Sequence, residues 1–353
     1  MRILHLVASE KWTGAAAVVF DQTAALVAAG VEAQFGFIGE SPLARRLHPL
    51  GWARPLLSRP RGPLDYPREI RRLSETLRRE RFEILHSHLS HDHAIAAAAV
   101  RGTGTKLART LHHLRHVRRG PFSRALFART EGFAFANRAI ALRFGGPGPI
   151  FPPVVDPARF SPGERSARLR AQLGIPPGSF VVGTVGKMAA DRGHAEALEA
   201  AAALPSPVSL LHVGKGEHLP RLELRARELG ISERNFWAGY QEEILPELYR
   251  EMDVFLFTAS GSDQGQRAIL EAMASGLPVV ALDLPGVRDL VTEGDQGFVA
   301  KSVEGLASGV RRLLEDPELR VRFGRRARSR AKELTAEAFA PRALQFYEGI
   351  LGK

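Results

Sequence analysis

Two acids set eight positions apart, Asp263 and Glu271, are the residues of this chain best placed for chemistry. They lie in DQGQRAILEAMASGLPVVAL, residues 263–282. Good helix formers dominate 268–274, so Glu271 is expected inside a helix. Asp263 is expected just before it, in a polar, Gly-containing loop. One acid is then rigidly held and the other stands at the mouth of a helix, where unpaired backbone N–H groups attract anions. An acid, a loop and a second acid opening a helix suit a ligand carrying both hydroxyls and phosphates, as a nucleotide sugar does.

Other candidates sit where strand-like runs end. Gly14 closes the stretch SEKWTG after the first strand, and a glycine there lets a phosphate approach the backbone; a simple tight turn would need the same residue. Lys187 and Arg192 flank a short loop after the run 180–186. Both could converge on a pyrophosphate, the arginine as a fork and the lysine as a point charge. His86, His88, His91 and His93 surround Asp92 in an H-x-H-x-x-H-x-H pattern. No carboxylate or cysteine set completes a recognised metal spacing, so no metal is expected; one or two of these histidines would line a site and the others would be structural. His112 and His113 end the run ARTL, where either could hydrogen-bond a sugar hydroxyl or a developing charge.

These positions need a scaffold. At 353 residues, two domains are expected. Strand-like runs at Arg2–Val7, Glu32–Ile38, Ile84–Ser87, Lys106–Leu111 and 138–142 alternate with helical stretches at 15–29, 66–81 and 94–100. A second series of strands, at 180–186, 208–213, 235–238, 254–258 and 278–282, alternates with helices at 195–204, 219–229 and 245–251. Such alternation predicts parallel sheets with helices on both faces, an α/β fold of two Rossmann-like domains. Residues 144–160, FGGPGPIFPPVVDPARF, read as linker, so the domains are placed at 1–155 and 156–337 and expected to face across a cleft. The last helix, within 338–353, is expected to pack back on the first domain.

Composition excludes several classes. There is no cysteine, hence no disulfide framework and no thiol catalysis. No apolar run reaches the roughly 18 residues of a membrane span, and MRILHLV reads as a first strand, so a cytoplasmic protein is expected. Net charge is +11, and residues 101–150 hold ten Lys/Arg against one acid, Glu131. Segment 112–129 mixes arginines with Leu114, Val117, Phe122, Leu126 and Phe127, which suits an anionic membrane surface. A solvated basic face would look the same. Nucleic acid is not expected, because no binding motif is present and aromatics are too sparse for stacking.

Taken in order, these residues resemble retaining glycosyltransferases of family 4, whose architecture is called GT-B. The opening MRILHLVASEKWTGAA, the FEILHSH strand, LARTLH, PPVVDPARF, VGTVGKMAADRGH and the two-acid segment each resemble a family motif. The resemblance implies that Lys187 and Arg192 hold a donor diphosphate and Glu271 the ribose hydroxyls. Asp263, with the backbone around Gly265 and Gln266, would position the donor sugar. Gly14 would sit by the phosphate or acceptor, and His112 (or His113) near the reacting carbon. No metal or other cofactor is implied, since cations and helix dipoles take the leaving-group charge. No carboxylate is an obvious covalent nucleophile, so same-face attack with retention is expected. The sequence departs from the family pattern in five places: Asp263 replaces the usual first Glu, the two cations are exchanged, Val154-Val155 lacks the usual glycine before Asp156, the segment between Leu142 and Pro152 is short, and the opening loop has one glycine and no following acid.

The expected function is therefore transfer of a sugar from a UDP-, GDP- or ADP-sugar to a glycan or lipid-linked acceptor, in cell-envelope polysaccharide or lipopolysaccharide synthesis. The loops 213–217 and 239–242 are expected to touch the base. A sugar-nucleotide epimerase of similar architecture, or a non-catalytic nucleotide-sugar binder, are the alternatives.

Overall fold

The computed structural model describes the chain from Met1 to Lys353 apart from residues 48, 60–64, 118–119, 206 and 260–265, and the side chain of residue 46. It forms two compact units, Met1–Val154 with Ala336–Lys353, and Val155–Thr335.

In chain order the first unit holds β1 (Arg2–Val7), α1 (Gly14–Ala28), β2 (Glu32–Ile38), α2 (Pro42–Leu47), β3 (Ala53–Leu57), α3 (Asp65–Glu80), β4 (Ile84–Ser87), α4 (Ser90–Ala99), β5 (Lys106–Leu111), α5 (Pro121–Phe127), β6 (Gly132–Phe135) and α6 (Arg138–Phe144). The second holds α7 (Ala167–Leu173), β7 (Phe180–Val185), α8 (His194–Ala202), β8 (Val208–Val213), α9 (Leu219–Glu228), β9 (Asn235–Gly239), α10 (Leu245–Arg250), β10 (Val254–Phe257), α11 (Gln266–Ala274), β11 (Val279–Leu282), α12 (Val287–Leu290), β12 (Gly297–Ala300), α13 (Val303–Glu315) and α14 (Pro317–Ala331). The chain then returns to the first unit as α15 (Ala336–Leu351).

Each unit is built on one parallel sheet, ordered β3-β2-β1-β4-β5-β6 and β12-β11-β10-β7-β8-β9. Strands buried on both faces read as continuous apolar runs, and β8 is buried at all six positions. Alternation assigns the faces. Leu4, Leu6, Leu85 and Leu107 pack with Leu73, Leu77 and Ile95 of α3 and α4. Ile3, Ile84 and Ala108 face Ala25 and Leu26 of α1 and Phe339, Ala343 and Tyr347 of α15. In both sheets the order reverses direction between the two central strands, β1/β4 and β10/β7. Ligands of such sheets lie beyond the strands' carboxyl ends at that reversal.

One expected strand is wrong. Residues 138–142 are not a strand but part of α6. The Asn137 side chain accepts from Ile140 N at 3.0 Å, and Gly145 ends the helix at φ +75°. The strand in this region is the earlier GFAF run, β6.

Close backbone packing fixes α14. A Cβ on Gly324 would lie 2.2 Å from the Gly276 carbonyl oxygen, in the turn after α11. Backbone cannot rotate away as a side chain can, so Gly324→Ala is expected to cost about 1–3 kcal/mol. A denaturant melt checks this, and an unchanged midpoint would contradict it.

Candidate functional site

The second unit gathers its candidates at the ends of β7 and β10. The loop after β7 carries Lys187 and Arg192 and is held from two sides. Gly186 N donates to Val213 O at 3.0 Å, Met188 N to Lys215 O at 3.1 Å, and His218 N to Met188 O at 3.0 Å. The loops after β7 and β8 touch backbone to backbone: a Cβ on Gly214 would meet Gly186 O at 1.9 Å, and one on Gly216 would meet Met188 O at 2.1 Å. At its far end Gly193 turns at φ +73°, and Thr258 Oγ1, just past β10, donates to Gly193 O at 2.6 Å. A Cβ on Gly193 would sit 2.1 Å from Thr258 O, so only glycine fits. The cation loop is thus rigidly docked on the strand that leads to α11.

Within this loop the two cations differ. Lys187 is exposed and pairs with Glu217 at 2.9 Å, a surface contact a ligand can displace at little cost. Arg192 Nε is buried and makes no hydrogen bond, although Asp191 Oδ1 lies 3.4 Å away. Behind them His194 begins α8, its Nε2 turned toward the backbone of Gly186 and Lys187 without closing a well-formed hydrogen bond. Burial pushes its pKa down to about 4, so the ring adds no charge at neutral pH.

Glu271 lies on α11 and is 6% exposed. Tyr249 Oη donates to its Oε2 at 3.1 Å and Arg267 Nε to its Oε1 at 2.9 Å. The carboxylate is therefore pre-oriented by two donors, and burial with the adjacent Glu271 charge holds the Tyr249 hydroxyl well above its usual pKa. Gln266, the first residue of α11, is buried and donates from Nε2 to Pro285 O at 3.0 Å. Asp263 and Gly265 lie outside the described residues. Beyond β8 and β9, the Lys215 ammonium sits 5.1 Å from the ring centre of Tyr240, which is 54% exposed and donates to Glu242 at 2.9 Å.

In the first unit Gly14 is the first residue of α1, whose N-cap Thr13 accepts from Ala16 N at 3.2 Å. The loop before it is tied across the β1/β4 reversal by Asp92, which accepts from the backbone of Ala8, His88 and Leu89 at 2.9–3.1 Å. Burial raises the Asp92 carboxyl to about 7, against those N–H groups and Arg109.

His112 follows β5 and is 1% exposed. His113 instead caps a short turn, its Nδ1 accepting from Arg115 N at 3.1 Å. The sheet register explains the rest of the histidine cluster. His5 pairs with His86 across β1 and β4, and His88 follows His86 on the same face. The three rings stack, at 4.4–5.2 Å between centres. His5 and His88, nearly coplanar, share a 3.0 Å hydrogen bond between ring nitrogens. Their ring nitrogens come within 4.8 Å of one another, and each ring has a nitrogen engaged in a hydrogen bond. His93 packs separately, against Ser87 Oγ at 2.8 Å, and His91 is half-buried beside the Tyr66 ring. The sequence reading passed over His5, Tyr249 and Arg267. Arg267 stands four residues before Glu271, a spacing that pairs charges on a helix, and His5 is a polar residue inside an apolar run.

Comparison with known proteins agrees with this layout. Residues 13–142 match the family model "Glycosyl transferase 4-like domain" and residues 166–330 match "Glycosyl transferases group 1". The chain is 32% identical over 216 residues to 2-deoxystreptamine glucosyltransferase of Streptomyces kanamyceticus, covering 58% of this chain and 55% of that protein. It is 33% identical over 159 residues to the lipopolysaccharide core biosynthesis glycosyltransferase LpsE of Rhizobium meliloti, covering 44% and 46%. The chain thus spans about half the length of the curated relatives it matches. The fold of HepE from Anabaena, solved in complex with UDP and glucose, superposes with a TM-score of 0.84 at 20% identity, over 99% of this chain and 100% of that one. Two family models in sequence order, on two Rossmann-like units, place this chain in the family 4 type of GT-B glycosyltransferases.

Proposed function

We propose that the chain transfers a sugar, with retained anomeric configuration, from a nucleotide-sugar donor to a glycan or lipid-linked acceptor of the cell envelope. One observation carries this reading: the rigid cation loop and the helix bearing Glu271 flank the reversal of a single sheet, through the Gly193–Thr258 contact. Lys187 and Arg192 would take the diphosphate and Glu271 the ribose hydroxyls. Asp263 would position the sugar and His112 would approach the reacting carbon. The bond from the sugar's anomeric carbon to the diphosphate breaks as the acceptor oxygen attacks from the same face. The acceptor proton leaves with the diphosphate. Charge on the leaving group is the main obstacle, and Lys187 and Arg192, in the loop that leads into α8, would answer it without a metal.

Several findings support parts of this reading. HepE was solved with UDP and glucose, and LpsE is named for lipopolysaccharide core synthesis, which supports a nucleotide-sugar donor and an envelope acceptor. A thermal-shift screen of UDP-, GDP- and ADP-sugars tests the donor site. One base is expected to raise the melting temperature of the wild type, and the shift is expected to vanish in Lys187→Ala/Arg192→Ala. Equal shifts in both proteins would sink the assignment. Transfer is also expected to survive EDTA; loss restored by magnesium or manganese would overturn the metal-free reading.

Among the described residues no helix is long and apolar enough to cross a membrane. Attachment to an anionic membrane face is proposed from the basic stretch and from Phe122 and Leu142, which are 69% and 77% exposed. Co-sedimentation with phosphatidylglycerol vesicles, but not phosphatidylcholine vesicles, at physiological salt is expected. Failure to sediment with either would remove the membrane from the account.

A further inference from the structure

Six buried side chains of the first unit form one unbranched chain of hydrogen bonds. Thr110 Oγ1 meets His86 Nε2 at 2.8 Å, and His86 Nδ1 meets Tyr347 Oη at 2.7 Å. Tyr347 Oη lies 3.3 Å from His5 Nε2, His5 Nδ1 3.0 Å from His88 Nε2, and His88 Nδ1 3.0 Å from His112 Nε2. Every member is at most 1% exposed. The chain begins on β5, crosses to α15 and ends at His112, the first of the two histidines considered for a place beside the donor sugar.

A neutral imidazole has one donor nitrogen and one acceptor nitrogen. The intermediate rings and the tyrosine use both their sites within the chain, so all the protons must point the same way. Two patterns are possible. In one, His112 Nε2 donates inward, every bond runs toward Thr110, and His86 donates to Thr110 Oγ1. The Thr110 hydroxyl hydrogen then needs an acceptor, and among the described residues its oxygen has no partner except His86. A fully buried hydroxyl would be left unsatisfied. In the other pattern Thr110 donates to His86 Nε2, His86 Nδ1 donates to Tyr347, Tyr347 to His5, His5 to His88, and His88 to His112 Nε2. Each donor inside the chain then has its acceptor, and the one N–H left over, His112 Nδ1, stands at the chain's open end and is not fully enclosed. Burial keeps the rings neutral: His5 and His112 are each pushed down to about 3, and His86 and His88 well below their usual value.

We propose that Thr110, His86, Tyr347, His5 and His88 are positioning residues that fix the tautomer of His112, so that its Nδ1 carries the proton. Among the described residues this Nδ1 has no protein partner. It is therefore a preset N–H donor for an oxygen of the bound ligand, supplied without any reorganisation when the ligand arrives. The catalytic consequence rests on the donor-site reading above, but the tautomer does not.

The test is nitrogen-15 NMR of histidine-labelled full-length protein without ligand. His112, assigned by its loss in His112→Gln, should show a protonated Nδ1 and an unprotonated Nε2. Tyr347→Phe removes the central hydroxyl with little change of volume, and Thr110→Val removes the terminal donor. Each should turn His112 into a mixture of tautomers while the backbone spectrum stays folded. If either variant unfolds, the other carries the test. A wild-type His112 protonated on Nε2 would overturn the proposal, as would an unchanged His112 in a folded variant. Turnover is read separately: Tyr347→Phe is expected to lower kcat with KM for the donor little changed. A preset tautomer combined with full activity in Tyr347→Phe would leave the relay standing and remove His112 from the reaction.

Discussion

Replacing Glu271 by alanine is expected to lower donor turnover by about a hundredfold or more while the protein stays folded. The carboxylate is nearly buried and already aligned by Tyr249 and Arg267, so its interaction with ligand hydroxyls is made with little loss of freedom. A hydrogen bond to a charged group contributes roughly 1.5–3 kcal/mol, and two such bonds to a ribose exceed the ~2.8 kcal/mol of a hundredfold effect. The fold tolerates the loss because each partner keeps an alternative. Tyr249 Oη also donates to Ala268 O at 3.2 Å, and the partly exposed Arg267 can turn to water. Kinetics of Glu271→Ala beside its circular dichroism spectrum check both halves. Unimpaired turnover would remove Glu271 from the site, and Glu271→Gln should fall between the two.

The second large effect is acid sensitivity. Burial, in each case the first cause, lowers the pKa of half-buried His91 and of seven fully buried histidines: His5, His86, His88, His93, His112, His194 and His212. The folded values lie below the unfolded value of 6.5, so the unfolded chain binds more protons in the window between. Stability is therefore full above about 6.5 and falls as pH drops toward the folded values. At pH ~5 each such histidine costs up to roughly 2 kcal/mol, against a total stability of roughly 5–15 kcal/mol. Asp92 acts oppositely. Its carboxyl, raised to about 7, keeps a proton that the unfolded chain loses, so its share of stability grows as pH falls from about 7 toward 4. One group against seven does not reverse the sign. The melting temperature should drop steeply between pH ~7 and ~5; a flat profile would contradict the buried, neutral state of these rings.

Central elements were legible in the sequence, and edges were not. The inner strands β1, β7, β8 and β10 announce themselves as apolar runs, because both faces of a parallel sheet are covered. The strands the sequence reading missed, β3, β6 and β12, all lie at sheet edges. There strands tolerate residues such as Pro55 or Gly132 that blur the pattern. Residues 138–142 misled because a short apolar run fits either period. The signals that decide it, Asn137 before and Gly145 after, are caps of a helix and were present in the sequence.

The candidate site was legible where a residue type is rare at its place in the fold. Lys187, Arg192, His112 and Glu271 stand at strand ends or on the helix after one. Partners brought in from distant sequence were not legible. Tyr249 meets Glu271 across 22 residues and Tyr347 meets His86 across 261, and no local pattern encodes either contact. The glycines that dock the cation loop were equally silent, since a requirement at Gly214 or Gly216 appears only when two loops touch.

The most direct test of transfer follows the donor by proton NMR, once the preferred base is known, with and without a membrane-lipid and glycan extract as acceptor. The account predicts that nucleoside diphosphate is released in step with an acceptor-dependent glycoside whose anomeric configuration matches the donor's. Epimerised donor formed without any acceptor would contradict it in favour of an epimerase. Donor bound at saturation yet wholly unconsumed with the extract present would contradict it in favour of a protein that binds nucleotide sugars and does no chemistry.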